Sequence, residues 1–353
     1  IVSSYERDVH ADAVLWGLER MGHSGFLWQS HLFPARQALS IGFEPGEPIR
    51  HWMDGEGAAE PGEAATVWNR RSRPPQLSTD VDERDRAFAQ SESEQHLAGF
   101  LATFAPGALW VNPPAAERLD TNKPAQLALA RQMGFRVPPT LISNAPKRIR
   151  EFFERHGGDV VYKSYRPESW TDGEAGAFVN NTAAVTAEDM ENESALAMCP
   201  GIFQARVPKD FELRVTVMGR SFFGVRIDAS VLDWRSDKAG MHLEPFGPTD
   251  EIKEMCKAYM DRAGLVFACF DLIVSPSSET HFLEVNPMGQ FLWQEERIPE
   301  LPLLDAMCAF LASGDRDFEW DEASASLRFE DYRQWRLGGG AQARAAQTAS
   351  ASA

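Results

Sequence analysis

Between Val266 and Glu296 three oxygen-bearing side chains punctuate an otherwise apolar stretch, and their spacing is that of a hard-cation site. Val266 to Val274 is almost wholly apolar, Pro276-Ser277-Ser278 breaks it, and His281 to Val285 resumes before Pro287, which predicts two strands joined by a turn. Asp271 interrupts the first strand. Glu284 and Asn286 lie two apart on the second, so the period-two geometry of a strand points both to one face. Carboxylate and amide oxygens, with positions left for phosphate oxygens and water, suit magnesium better than zinc or copper. Glu-x-Asn-Pro alone also fits a strand end followed by a turn; Asp271, thirteen residues before Glu284, turns the pattern toward a metal–nucleotide site.

Other charged residues sit where they could serve such a site. The stretch FELRVTVMG alternates Glu212, Arg214 and Thr216 with Leu213, Val215 and Val217, the mark of a half-buried antiparallel strand with one polar face. An arginine is expensive to keep inside unless it meets an anion. Arg214, Arg226 and Arg235 therefore form a candidate phosphate clamp, with ordinary solvent-exposed arginines as the alternative. A short strand, VVYK, ends on Lys163, and the polar, glycine-containing loop from Ser164 to Gly176 can offer backbone N–H groups to phosphates.

The elements that must position these residues fall into lobes of an α/β chain. The first, residues 1–113, opens on a strand at Ile1 to Ser4 and a helix over about His10 to Met21. A second helix, about Asp82 to Phe104, carries Phe88, His96, Leu97, Phe100, Leu101 and Phe104 at the spacing of one buried face. The strand Leu109 to Val111 precedes the boundary. A central lobe spans 114–199 and begins with Asn122-Lys123-Pro124 at the head of a helix; a third spans 200–315 and ends in the carboxylate hairpin and a last helix. Residues 316–353 lose apolar periodicity and finish in AQARAAQTASASA, so a largely disordered tail is expected, interrupted by a short helix near Glu330 to Arg336.

Composition excludes whole classes of function. A net charge of −17 argues against a nucleic-acid binder, which needs clustered Lys and Arg. No apolar run has membrane-spanning length, and no signal peptide is visible. The chain opens on Ile1 rather than Met, so a short leading piece is expected ahead of it. Cys199, Cys256, Cys269 and Cys308 lie far apart without a Cys-x-x-Cys pair, which predicts reduced thiols and a cytoplasmic protein. Neither Gly-x4-Gly-Lys-Ser/Thr nor a sound Gly-x-Gly-x-x-Gly turn is present, and Gly-x-Ser-x-Gly and His-Glu-x-x-His are missing too.

What remains is a lysine-bearing lobe, an arginine strand and a terminal carboxylate–amide hairpin, in an order that resembles the ATP-grasp ligases. Five segments, TVWNRRSRPP, WVNPP, NKPAQLALARQMGFRVPPTLISN, FQARVPKDFELRVTVMG and the hairpin with its following GQFLW, are together similar to the microviridin-type graspetide synthetases. They span residues 66 to 296. The resemblance implies an ATP-grasp fold behind an N-terminal pre-ATP-grasp α/β domain, and ATP and Mg2+ as cofactors. Lys123 and Lys163 would then contact ATP phosphates and adenine, Gln204 and the backbone near Val207 the adenine, and Asp210 the ribose. Arg214 and Arg235 would bind the transferring phosphoryl group, and Asp271, Glu284 and Asn286 the magnesium. One departure is at the hinge, where relatives commonly carry Gln-Glu and this chain has Ala205 after Gln204.

The chemistry implied is carboxylate activation: the γ-phosphoryl passes to a carboxylate, and a hydroxyl or amine attacks the acyl phosphate to give an ester or amide. In the resembling family the partner is a ribosomal precursor peptide, leader plus core, whose Asp or Glu side chains join Ser, Thr or Lys of the same chain. Glu188 and Asp189, in the acidic stretch AEDMENE, are a candidate dock for a basic leader, against the alternative of a solvated acidic helix. A homodimer is a possible assembly. Two further readings stay open: a RimK-like ligase for small molecules or protein termini, which would release ADP without any peptide, and a nucleotide-binding module without turnover.

Overall fold

The computed structural model describes residues 2–3, 8–57, 64–165, 169–172, 176–179, 182–236 and 240–340. Val2–Ser3, Leu27–Trp28, Thr66–Asn69 and Leu109–Val111 form a parallel four-stranded sheet, with Val2–Ser3 and Thr66–Asn69 inside. All four residues of Thr66–Asn69 are buried, as parallel strands covered on both faces must be. Helix Val9–Arg20 follows the first strand, capped by Asp8, whose side chain accepts from the His10 and Ala11 N–H groups. Glu83–Thr103 buries Leu97, Phe100 and Leu101, but Phe88, expected on that face, is 71% exposed, because the first two turns run past the core.

The central sheet is antiparallel, in the order Ala183–Ala184, Val160–Lys163, Gly201–Ala205, Thr140–Ser143. Helix Pro146–Arg155 covers it with Ile149 and Phe152 against Val160 and Phe203. Gly201–Ala205 is thus hydrogen-bonded inside the central sheet and does not open the third lobe; the change of sheet falls in the segment that follows Ala205. Between Lys163 and Thr182 a short hairpin pairs Ser169–Asp172 with Gly176–Val179, where an unstructured loop was expected up to Gly176. Residues 166–168 and 173–175 of that expected phosphate-covering loop lie outside the described residues.

The third sheet holds five antiparallel strands, His242–Phe246, Ser221–Asp228, Phe211–Met218, Phe267–Val274 and Thr280–Asn286, in that order. Phe211–Met218 is central, and all eight of its residues are buried, so its polar side chains face a covered cleft rather than water. Helix Asp250–Ala263 packs on the other face through Ile252, Cys256, Tyr259 and Met260, spaced at three to four residues. It ends where Gly264 takes the left-handed conformation at φ 72°.

The expected short helix of the tail is present as Phe329–Leu337, but it is docked rather than loose, with Phe329 and Tyr332 buried and Tyr332 packed on Trp16. Two buried acids from distant sequence secure it. Glu295 accepts from the Leu304 and Phe329 N–H groups at 2.7 and 2.6 Å, and Asp305 from Ser326 and Leu327 at 2.8 and 3.0 Å. Residues 341–353 lie outside the described residues. Among the described residues no helix is long and apolar enough to cross a membrane, and all four cysteines are free thiols.

Candidate active site

The carboxylate hairpin is shaped by an irregularity. Asp271 stands opposite Glu284 and Cys269 opposite Asn286, but the register shifts between Asp271 and Leu272, leaving Leu283 with no residue opposite it. Such a bulge bends the strand and re-aims its side chains. Thr280–Asn286 is also the edge of its sheet, and its outer backbone groups need partners. Gln126, fully buried in helix Lys123–Gln132, supplies them: its Oε1 accepts from the Val285 N–H at 3.2 Å, and its Nε2 donates to the Val285 carbonyl at 3.0 Å and the Leu119 carbonyl at 2.6 Å. The residue between Glu284 and Asn286 is thereby fixed by a side chain one turn after Lys123.

The first lobe grips the same hairpin. Asn112 Nδ2 donates to the Phe267 and Pro287 carbonyls, both at 2.8 Å, and its Oδ1 accepts from Val266 and Phe267 at 2.8 and 3.0 Å. Arg70, buried and paired with Asp8 at 3.0 Å, donates to the Met288 carbonyl at 2.9 Å. Burial lowers the Arg70 pKa to about 10 although Asp8 opposes the shift.

Asp271 and Glu284 face a cavity of about 770 Å3 between the central and third sheets, large enough for a nucleotide. Lys123, Lys163, Gln204, Val207, Asp210, Arg235 and Asn286 line it with them. Arg214 stands behind Asp271, its Nη1 donating to both carboxylate oxygens at 2.7 and 2.6 Å. Gly289 leaves room for it, since a Cβ there would come within 3.2 Å of Nη2. Lys123 Nζ meets Glu284 at 2.9 Å, and Arg235 Nη1 lies 3.9 Å from the same carboxylate. Both ends of the Gln204 carboxamide are engaged, Oε1 by Lys163 Nζ and Nε2 by Thr140 Oγ1, each at 2.9 Å.

Three predicted residues lie elsewhere. Arg226 pairs with Asp228 at 2.9 Å over the ring of Phe211, so the third arginine of the expected clamp is absent from the cavity. Glu188 and Asp189 are exposed on a short turn of the central lobe, where Asp189 accepts from the Thr186 N–H and hydroxyl at 2.7 and 2.8 Å.

Electrostatics separates the two facing carboxylates. Burial pushes both up, and Glu284 also raises Asp271. At Glu284 the Lys123 ammonium, with Arg235 and Lys163, outweighs burial and holds the carboxyl at about 2. Burial lowers the Lys163 pKa.

No protein-family model matches the chain, and a search of curated proteins returns no relative. Solved structures do match. The macrocyclase MdnB from Microcystis aeruginosa MRC is 30% identical, over 88% of this chain and 97% of that one, with a TM-score of 0.73. The chain belongs to the ATP-grasp graspetide synthetases. Two others share the fold at 25% identity. A RiPP-associated ATP-grasp ligase from Chryseobacterium gregarium, in complex with ADP and a leader and core peptide, has a TM-score of 0.78 over 91% of this chain and 98% of that one. The ATP-grasp ligase PsnB, complexed with Mg, ADP and a minimal precursor, has a TM-score of 0.70 over 89% and 96%. This synthetase is accordingly an ATP-dependent ligase using ATP and Mg2+.

The residues present fit those groups. The donor set facing the cavity, two carboxylates and the Asn286 amide, is all oxygen, as magnesium requires. Lysine and arginine side chains around it match the charge of a polyphosphate. Sequence reasoning missed Gln126 and Asn112 as individuals; they sit in NKPAQ and WVNPP, where the only signal was the family likeness of the segments.

Proposed function

We propose that this synthetase crosslinks a ribosomal precursor peptide through its own acidic side chains. The γ-phosphoryl of ATP is transferred to a core Asp or Glu carboxylate, giving an acyl phosphate and ADP. A Ser or Thr hydroxyl, or a Lys amine, of the same peptide then attacks the acyl carbon; the C–O bond to phosphate breaks, the nucleophile loses its proton, and an ester or amide ring closes. The observation that carries this reading is the meeting of Lys123, Lys163 and Arg235 with Asp271, Glu284 and Asn286 at one cavity, with Arg214 bonded behind Asp271. Asp271, Glu284 and Asn286 would hold Mg2+, whose charge offsets that developing on the phosphoryl oxygens. Lys163, held by Gln204, would meet the phosphates, and Arg214 and Arg235 the transferring group. Adenine would lie against the backbone near Val207 and ribose at Asp210. Glu188 and Asp189 would meet basic residues of the leader.

The test is to look for a short Thr-, Ser-, Asp- and Glu-rich peptide in the neighbouring reading frame and to incubate it with the enzyme, ATP and Mg2+. The expected product has lost one water per crosslink by mass spectrometry, with equimolar ADP. Leader variants lacking basic residues should bind more weakly by calorimetry. ADP release with small carboxylates and amines, and none with peptide, would overturn the peptide reading in favour of the RimK-like one.

A further inference from the structure

Arg235 is a long side chain on a loop, 46% exposed, yet its guanidinium has one orientation because Asp233 fixes it. Asp233 is 6% exposed although it lies in an irregular segment at the cavity wall. Its Oδ1 accepts from Arg235 N and Nε at 3.1 and 2.9 Å, and its Oδ2 accepts from Arg235 Nη2 at 3.0 Å and from the Thr182 N–H at 3.3 Å. Thr182 belongs to the central lobe, so the carboxylate is anchored from both sides of the cavity. The segment is fixed again on either side of it: Lys209 Nζ donates to the Val231 carbonyl at 2.7 Å, and Trp234 stacks on Trp293 at 5.0 Å.

This bonding determines what Asp233 can do. A carboxylate offers about four lone-pair positions, and here four N–H groups occupy them, so Asp233 has none to lend to a cation or a substrate proton. It acts through Arg235. Because the Nε and Nη2 edge is taken by Asp233, the remaining nitrogen, Nη1, is the end turned toward the reaction centre, 3.9 Å from Glu284 Oε1.

We propose that Asp233 is a positioning residue for phosphoryl transfer: it holds the Nε–Nη2 edge of Arg235 so that Nη1 meets the γ-phosphoryl of bound ATP. The proposal rests on the cavity being the ATP site and is independent of which carboxylate is activated. A planar guanidinium gripped along one edge loses its rotamer freedom before the nucleotide arrives, which is where preorganisation lowers the cost of binding.

The probes are Mg·AMPPNP, which carries a γ-phosphoryl, and Mg·ADP, which does not, titrated calorimetrically into wild type, Asp233→Asn, Arg235→Gln and the double variant. Asp233→Asn is expected to lower AMPPNP affinity about tenfold, the value of a hydrogen bond to a charged group, and to leave ADP affinity unchanged. The double variant is expected to match Arg235→Gln alone, since both changes act on one interaction. Asp233→Glu, which keeps the charge but displaces it by a methylene, is expected to show the same selective loss, and serves if Asp233→Asn does not fold. Equal loss for both nucleotides, an unchanged AMPPNP affinity, or additive losses in the double variant would overturn the proposal. Failure of the wild type to bind either nucleotide would instead overturn the ATP-site reading.

Discussion

Replacing Gln126 by Leu keeps the volume of the side chain and removes every hydrogen bond it makes to the edge strand. Val285 N–H and C=O lose the partner they have at 3.2 and 3.0 Å, next to a side chain that is 0% exposed, while the Leu119 carbonyl keeps the Asn122 N–H at 3.2 Å. An unsatisfied buried polar group costs about 1–3 kcal/mol, so two such groups give a loss of about 3 kcal/mol. At roughly 2 °C per kcal/mol for a large domain, the melting temperature should fall by about 6 °C. The functional effect is separate. Without the clamp on Val285, Glu284 and Asn286 lose their common aim, and a ~1 Å misplacement costs about a hundredfold in turnover. Thermal melting and calorimetry with ADP, each with and without Mg2+, check both parts. The magnesium-dependent share of ADP affinity should shrink while the magnesium-independent share holds. A variant that melts with the wild type and keeps its full magnesium dependence would refute the reasoning.

Glu284→Gln should leave the fold intact and reduce ADP formation by at least about a hundredfold, because it removes an ionised cation ligand and charge stabilisation of the phosphoryl group; near-normal turnover at saturating Mg2+ would remove Glu284 from the site. Glu295, 3% exposed, is raised from 4.5 to about 7, chiefly by burial. A raised acid stabilises the fold below its unfolded pKa and loses that contribution as pH rises through the folded one. The stability of wild type relative to Glu295→Gln should therefore shrink by about 3 kcal/mol between pH 4.5 and 8, measured by denaturant melts; a pH-independent difference would contradict it.

The site was legible in the sequence where backbone period and chemistry coincide. Glu284 and Asn286 two apart on an apolar strand, with Asp271 on its partner, already specify one face, and Lys123, Lys163, Val207, Asp210 and Arg235 line the same cavity. Arg226 was misread because alternation along a strand says which face a residue takes but not which neighbour waits there; Asp228, two residues on, captures it. Gln126 left no pattern, since one polar residue in a helix has no period, and its role depends on an edge strand 159 residues away. The tail was legible in part for a related reason. A short helix near Glu330 to Arg336 could be read locally, but not its docking, since burial of Tyr332 depends on Trp16 and the start of the helix on acids at 295 and 305 that no local window contains.

The electrostatics of the hairpin bears on why so acidic a chain carries its arginines and lysines where it does. Two carboxylates facing each other across a strand pair repel, and in a covered cleft the repulsion is screened weakly. The chain resolves this unequally. Glu284, flanked by Lys123, Arg235 and Lys163, is held at about 2 and is ionised at any working pH. Asp271 is pushed up by burial and by Glu284, with Arg214 at 2.6 Å the chief opposing charge and Arg235 a smaller one. On the function proposed above, Glu284 would thus take a cation without releasing a proton, while Asp271 would gain most from the cation's charge. Arg214 and Lys123 are also the groups with most to do once phosphates enter, since each already sits on a carboxylate that a cation would share. Pairing in the cleft therefore does two things with the same side chains: it makes buried carboxylates tolerable, and, on the function proposed above, it would hold lysine and arginine side chains ready for the phosphates of ATP.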